Sequence, residues 1–163
     1  MTSTLYVDNL IEKTSGNGVH IPGHIIQVAQ STVSGNITTS STSSVATGLE
    51  RSFTPKFSTS LIQVQLLSGR SFIQPGQQLD VKLFKDGSNV NTTGAGRWIS
   101  QYSQSTDHHP GGYSGCYFET AGSTSSRTYQ VYFDSNNATI YFNNSPGGNA
   151  EYKVYLVVTE IAQ

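Results

Sequence analysis

Residues Glu151 to Ile161 read EYKVYLVVTEI and predict the strand around which the rest of the chain is organised. Strand side chains alternate between two faces, so one face carries Tyr152, Val154, Leu156 and Val158, and the opposite face carries Tyr155, Val157 and Thr159. A strand that is apolar on both faces needs cover on both sides. We therefore expect a sandwich core against one face and a second layer or another subunit against the other.

The segments before this strand predict further strands, joined by turns rich in Gly, Asn and Asp. In SLIQVQLLS, from Ser60 to Ser68, apolar and polar residues alternate, and RTYQVYFDS, from Arg127 to Ser135, alternates in the same way. The dipeptide Asp86-Gly87 is a strong signal for a two-residue hairpin. About eight strands result, and no segment has a helical period. The spacing predicts an all-β fold, an antiparallel, jelly-roll-like β-sandwich.

The predicted core begins near His24, and in its first strand we expect Ile26 and Val28 to face inward. Before it, the stretch TSGNGVHIPGH contains three glycines and a proline, which is typical of a connector. We therefore divide the chain into an N-terminal docking arm or neck, residues 1–24, and a β-sandwich head, residues 25–163. The alternative is that the first residues form a normal strand of the sandwich.

Composition excludes several classes of protein. The chain has 163 residues, a net charge of −1 and 12% charged residues, with its Lys and Arg residues scattered, so we expect no nucleic-acid partner. No segment resembles a signal peptide or a membrane span, which predicts synthesis in a cytoplasm and no membrane insertion. The single cysteine, Cys116, excludes an internal disulfide, and we expect it to be a buried small residue rather than a nucleophile.

Two sets of segments resemble small virion proteins of tailed bacteriophages, especially marine and cyanobacterial phages. The first is TLYVDNLIEKTSGNGVHIPGHIIQV, residues 4–28. The second joins SFTPKFSTSLIQVQ, RTYQVYF and the closing VVTEIAQ. In that family the first segment precedes a β-sandwich head whose strands the second set resembles in order, so the similarity spans most of the chain.

The resemblance implies a non-enzymatic structural protein of the virion, made in the host cytoplasm and assembled as a homotrimer with other virion proteins of the tail or capsid. One reading is a tail fibre or exposed head domain that attaches to the host, with a host cell-surface glycan as its receptor. A second reading is a capsid decoration protein that stabilises capsomers, since the chain contains no collagen-like or coiled-coil shaft. A third alternative, from a different class, is a trimeric jelly-roll lectin or ligand.

Three groups of residues follow from these hypotheses as candidate sites. The candidates for particle docking lie in the arm and are Leu5, Val7, Leu10 and Ile11. The candidates for the subunit interface lie in the final strand and are Tyr152, Tyr155 and Val157. The candidates for receptor or carbohydrate binding lie in or beside the glycine-rich loops and are Trp98, Tyr102, His108, His109 and Tyr113. Aromatic rings stack on sugars, so we expect Trp98, Tyr102 and Tyr113 to be exposed, although they also fit a core or a subunit interface.

Catalysis and cofactors have little support in the sequence. Asp107, His108 and His109 are the residues best suited to a metal ion, but adjacent strand residues point to opposite faces, and a polar loop tip explains them as well. Threefold symmetry offers another route, by bringing copies of one histidine together. His20 and His24 fit hydrogen-bonded turns. Asp107, Glu119 and Asp134 are possible acids, and their spacing does not show whether any two converge. We expect no enzyme activity, no cofactor and no resident metal.

Overall fold

The computed structural model describes residues 9, 11, 21–67, 70–104, 109–136, 138–143 and 152–163, with the backbone alone at residues 109 and 110. Every regular element in these ranges is a strand. The strands are β1 (Ile25–Ser34), β2 (Thr38–Thr39), β3 (Val45–Phe53), β4 (Leu61–Leu67), β5 (Ser71–Ile73), β6 (Gln78–Lys85), β7 (Ser88–Asn89), β8 (Ile99–Tyr102), β9 (His109–Gly111), β10 (Ser114–Thr120), β11 (Arg127–Ser135), β12 (Ile140–Tyr141) and β13 (Lys153–Ile161).

The eight longest strands form two antiparallel sheets. Sheet 1 has the order β1-β13-β4-β10, and sheet 2 has the order β3-β11-β6-β8, with β7 forming a hairpin against the end of β6. Counting only these eight strands along the chain, the two orders are 1-8-3-6 and 2-7-4-5, which is the jelly-roll connectivity. The predicted all-β sandwich of eight main strands is therefore confirmed.

The hydrophobic core lies between the two sheets, and strand alternation explains which residues fill it. Sheet 1 contributes Ile62, Val64, Leu66, Val154, Leu156 and Val158, and sheet 2 contributes Leu79, Val81, Leu83, Tyr129, Val131 and Phe133, each at most 1% exposed. The predicted hairpin at Asp86-Gly87 is also present: both residues have positive φ angles, 50° and 79°, as such tight turns require.

A third sheet, with the order β2-β12-β5-β9, is built from the connections between the main strands. Each of its strands has two or three residues and lies between strands of the sandwich: β2 precedes β3, β5 precedes β6, β9 precedes β10 and β12 precedes β13. These four connections lie at the same end of the sandwich, because antiparallel pairing fixes the direction of every strand. Sheet 3 thus covers that end, while Ile25 pairs with Ile161 at the opposite end.

A β-bulge between Ile25 and Gln27 changes the orientation of the first strand. A bulge inserts a residue, so side chains beyond it change faces. Val28 consequently points outward and is 56% exposed, whereas Ala29 and Val33 pack against the core. The expectation that Val28 faces the core is wrong for this reason.

Glu160 fixes a corner of the sandwich near the end of β13. Its side chain is fully buried and accepts hydrogen bonds from the backbone nitrogens of Lys56, at 2.9 Å, and Phe57, at 3.0 Å. The amide Nε2 of Gln27 donates to the same carboxylate at 2.6 Å. One buried acidic side chain therefore joins β1, β13 and the segment between β3 and β4.

Candidate functional site

Most of the outer surface of sheet 1 carries no charged side chain; among its described strand residues the exception is the exposed Lys153, which pairs with Ser34 beside sheet 3. Across sheet 1, antiparallel pairing aligns outward residues in four rows. We call these residues the neutral face: Thr32, Tyr155, Leu67 and Ser114; Gln30, Val157, Gln65 and Cys116; Val28, Thr159, Gln63 and Phe118; and Ile25, Ile161, Leu61 and Thr120.

The neutral face also carries most of the exposed apolar side chains. Ile25, Val28, Leu67 and Phe118 are 63%, 56%, 45% and 51% exposed, and they are four of the seven large hydrophobic side chains exposed among the described residues. Between them lie the half-buried side chains of Tyr155 and Val157. Contiguous apolar surface on a folded protein is typical of an interaction site.

The outer surface of sheet 2 is different, because it carries paired charges. Lys82 Nζ lies 2.7 Å from Asp134 Oδ2, and Arg97 Nε lies 2.6 Å from Asp80 Oδ2. Glu50 accepts a hydrogen bond of 2.9 Å from the side chain of Gln130. Such a surface is suited to water. The neutral face therefore differs in charge from the outer surface of sheet 2, and of the two surfaces the neutral face is suited to a protein contact.

The structure places two of the three predicted interface residues together. Tyr155 and Val157 lie on the neutral face, in adjacent rows of β13. Tyr152 precedes β13 and contacts Arg70 instead: the guanidinium lies 5.7 Å from the centre of its ring, and Nη1 donates to its hydroxyl at 3.4 Å. The sequence pattern placed Tyr155 and Val157 on one side of this strand, and pairing with β1, β4 and β10 adds the other residues of the neutral face.

The predicted receptor aromatics do not form one exposed group. Tyr102 is 53% exposed, as expected. Trp98 is half-buried, and its Nε1 donates to the carbonyl oxygen of Cys116 at 3.3 Å. Tyr113 is buried in the core at 6% exposure, and its hydroxyl donates to the carbonyl oxygen of Phe142. The expectation that Tyr113 is exposed is therefore wrong, because its side chain packs in the core immediately before β10 begins.

Several other predicted site residues lie outside the described residues: Leu5, Val7, Leu10, His20, Asp107 and His108. The backbone of His109 belongs to β9, and Ile11 is 76% exposed. Within the ranges that the structure describes, no three His, Cys, Asp or Glu side chains come together as a metal site requires. The docking and metal hypotheses thus remain predictions.

A buried cluster of charges joins the two sheets at the end opposite sheet 3. Glu119 of β10 forms an ion pair with Lys85 of β6, accepts a hydrogen bond from the hydroxyl of Tyr129, and lies 3.4 Å from Arg127 Nη1. The side chains of Glu119 and Arg127 are 12% and 8% exposed. Burial by itself raises the pKa of Glu119, but hydrogen bonds from Lys85 and Tyr129 and the two cations lower it below the ordinary value on balance.

The lowered pKa makes part of the stability depend on pH. In the unfolded chain Glu119 titrates near 4.5 and in the folded chain below it, so its contribution is complete above pH 4.5 and is lost as the pH falls through the folded pKa. We expect the difference in unfolding free energy between the wild type and Glu119→Gln to shrink as urea unfolding is repeated below pH 4.5. A difference that stays constant across this range would contradict the lowered pKa.

The remaining reactive groups do not assemble into a catalytic arrangement in the described part of the chain. Asp134 is paired with Lys82, as Glu119 is with Lys85. Cys116 is exposed on the neutral face, so the expectation that it is buried is wrong. It lies on the outward side of β10, opposite Gln65, whose side chain also faces out. Of the three predicted acids, Glu119 and Asp134 are each paired with a lysine, and Asp107 lies outside the described residues.

A function for this chain has to be inferred from the fold and the neutral face, because comparisons with known protein families and curated proteins found no match. Among the described residues, no helix is long and apolar enough to cross a membrane. No protein-family model matches the chain, and no curated protein matches it.

Proposed function

We propose that this chain is a non-enzymatic structural protein of a tailed-phage virion that assembles as a homotrimer through the neutral face. The sequence resemblance supports the virion role and the threefold state. The observation that carries the assembly is the contrast between the neutral face, whose four rows contain no charged residue, and the charged outer surface of sheet 2.

A second copy of the chain suits the neutral face better than a charged partner. In a threefold assembly, residues near the symmetry axis lie close to their own copies, so a charged residue there would be repelled by like charges. The neutral face avoids this repulsion, since its polar positions are amides and hydroxyls such as Gln63, Gln65 and Thr120. Exposed Phe118 and the half-buried Tyr155 add aromatic contact area, which is enriched at protein interfaces.

The test compares two valine-to-lysine substitutions by light scattering coupled to size exclusion. Val28 is 56% exposed on the neutral face, and Val45 is 37% exposed on β3 of sheet 2. We expect the wild type and Val45→Lys to have three times the chain mass of 17.6 kDa, and Val28→Lys to have the mass of one chain. A monomeric wild type, or a Val28→Lys protein that is still trimeric, would contradict assembly through this face.

Cys116 provides an independent measurement on the same proteins. It is the single cysteine of the chain, and it lies in the second row of the neutral face. Maleimide should therefore label native Val28→Lys faster than the native wild type, since assembly covers the thiol. Equal labelling rates would contradict the location of the interface.

The virion role has its own test. Purified protein from an exposed fibre should bind host cells and block infection by the phage. A capsid decoration protein should bind capsids and do neither. Failure to find the chain by mass spectrometry in purified particles would contradict both forms of the virion proposal.

A further inference from the structure

An open polar cleft lies at the end of the sandwich opposite sheet 3. It is enclosed by the β6–β7 turn and by the connection from β10 to β11, and its volume is about 240 Å³. The side chains that matter for binding are those of Lys85, Asp86, Ser123, Ser125, Ser126 and Arg127. All of these carry hydrogen-bonding groups, so the cleft is suited to a polar ligand.

Arg127 is the buried part of this cleft, with only 8% of its side chain exposed. Its Nη2 donates to the carbonyl oxygen of Ser123 at 3.0 Å and reaches the hydroxyl of Ser123 at 3.4 Å. Its Nη1 lies 3.4 Å from Glu119. A guanidinium has five N–H donors in a planar fork, and these contacts, together with a hydrogen bond to the side chain of Tyr129, hold the fork in place.

Asp86 supplies acceptors on the opposite wall. The tight turn with Gly87 fixes its backbone, and its Oδ1 accepts a hydrogen bond from the backbone nitrogen of Thr128 at 2.7 Å. The second carboxylate oxygen has acceptor capacity to spare. The cleft therefore presents rigid donors and rigid acceptors together, with the hydroxyls of Ser125 and Ser126, which can act as either.

The charges of the cleft favour a neutral ligand over an anion. Lys85 and Arg127 are balanced by Asp86 at the turn and by Glu119 behind the cleft. An incoming anion would compete with Glu119 for its two cations and would be repelled by Asp86. A molecule with neighbouring hydroxyl groups can bond both to the donors and to the acceptors of the cleft, because each hydroxyl group donates and accepts.

The volume limits how much of a ligand the open cleft can hold. Ligand sites for drug-sized molecules have volumes of roughly 300–1,000 Å³, and this cleft is smaller. It has room for about eight water molecules at their share of liquid volume, which suits a single ring rather than an extended chain. We propose that the cleft binds one neutral sugar ring through neighbouring hydroxyl groups.

This site is separate from the neutral face and does not require the trimer. The cleft lies between the ends of β6, β10 and β11. None of its residues belongs to the four rows of the neutral face. A failure of sugar binding therefore leaves the assembly proposal unaffected, and the light-scattering mass of each variant shows which of the two has failed.

The experiment uses saturation-transfer NMR on the full chain, with galactose, glucose, mannose and N-acetylglucosamine as separate probes. Ser125→Leu fills the cleft from an exposed position, and Ser34→Leu, at the far end of β1, is the matched control. We expect transfer to at least one sugar in the wild type and in Ser34→Leu, and its loss in Ser125→Leu. Asp86→Asn, which keeps the turn and an acceptor for Thr128, should weaken the transfer.

Three outcomes would overturn the proposal. One is the absence of transfer to every sugar in the wild type, and another is equal transfer in Ser125→Leu and the wild type. The third is displacement of the sugar by sodium acetate but not by a second neutral sugar, which would assign the cleft to a carboxylate. Far-ultraviolet circular dichroism of each variant confirms that the sandwich is folded in every comparison.

Discussion

Replacing Glu160 with alanine should lower the free energy of unfolding by about 3 kcal/mol. The substitution removes the acceptor for two backbone N–H groups and for the Gln27 amide, and each buried donor left without a partner costs about 1–3 kcal/mol. Water that enters the corner can accept some of these hydrogen bonds, so the expected loss of stability is smaller than the sum of the separate costs. Urea unfolding followed by tryptophan fluorescence would measure the change.

Glu160→Gln separates the hydrogen bonds from the packing. Glutamine has nearly the same shape and keeps one acceptor oxygen, so we expect a loss of about 1 kcal/mol. Glu50→Ala is the control, because Glu50 is exposed and accepts one bond from Gln130. It should change stability by less than about 0.5 kcal/mol. A Glu160→Ala protein as stable as Glu50→Ala would contradict the role of the buried carboxylate.

Replacing Phe133 with alanine should lower the free energy of unfolding by about 4 kcal/mol. Phe133 is fully buried between the sheets, and its ring centre lies 5.4 Å from that of Phe142. Removing a buried phenylalanine side chain loses its transfer free energy and leaves a cavity. Since a domain is stable by only about 5–15 kcal/mol, the variant should unfold at a much lower urea concentration than the wild type.

Phe118→Ala removes the same side chain from a different place. Phe118 is 51% exposed on the neutral face, so a single folded chain loses little when it is truncated. We expect its main effect on assembly, as faster dissociation of the trimer on dilution. If Phe118→Ala destabilised the isolated chain as much as Phe133→Ala does, the outward orientation of β10 would be wrong.

Alternation along single strands made most of the sandwich predictable. In β4 and β11, the residues with a period of two are the buried ones, because each strand has one face on the core. The spacing of turns also gave the number of main strands. Neither signal depends on residues far away in the chain, so the sequence alone was sufficient to predict the sandwich and its main strands.

The features that sequence missed depend on pairing between distant segments. The bulge that turns Val28 outward is a property of β1 against β13, and the strands of sheet 3 have too few residues to show a period. In the sequence, Glu160 looks like any polar residue near the end of a strand. Its donors come from more than 100 residues away, so no local pattern identifies it.

The candidate surfaces were only partly predictable for the same reason. The two apolar sides of the final strand indicated that Tyr155 and Val157 need cover, but the neutral face also needs rows from β1, β4 and β10. The polar cleft had no sequence signal. Its serines resemble those of any turn, and only the fold brings them to Lys85 and Arg127.

The pairing of Ile25 with Ile161 has a mechanical consequence. Force applied between these two residues would break the hydrogen bonds between β1 and β13 one after another, as in unzipping. Force applied between residue 25 and the sheet 3 end would load the same bonds together, in shear, and would meet far greater resistance. A head tethered by residues 1–24 and pulled at its far end is thus loaded in the direction in which its first strand is strongest.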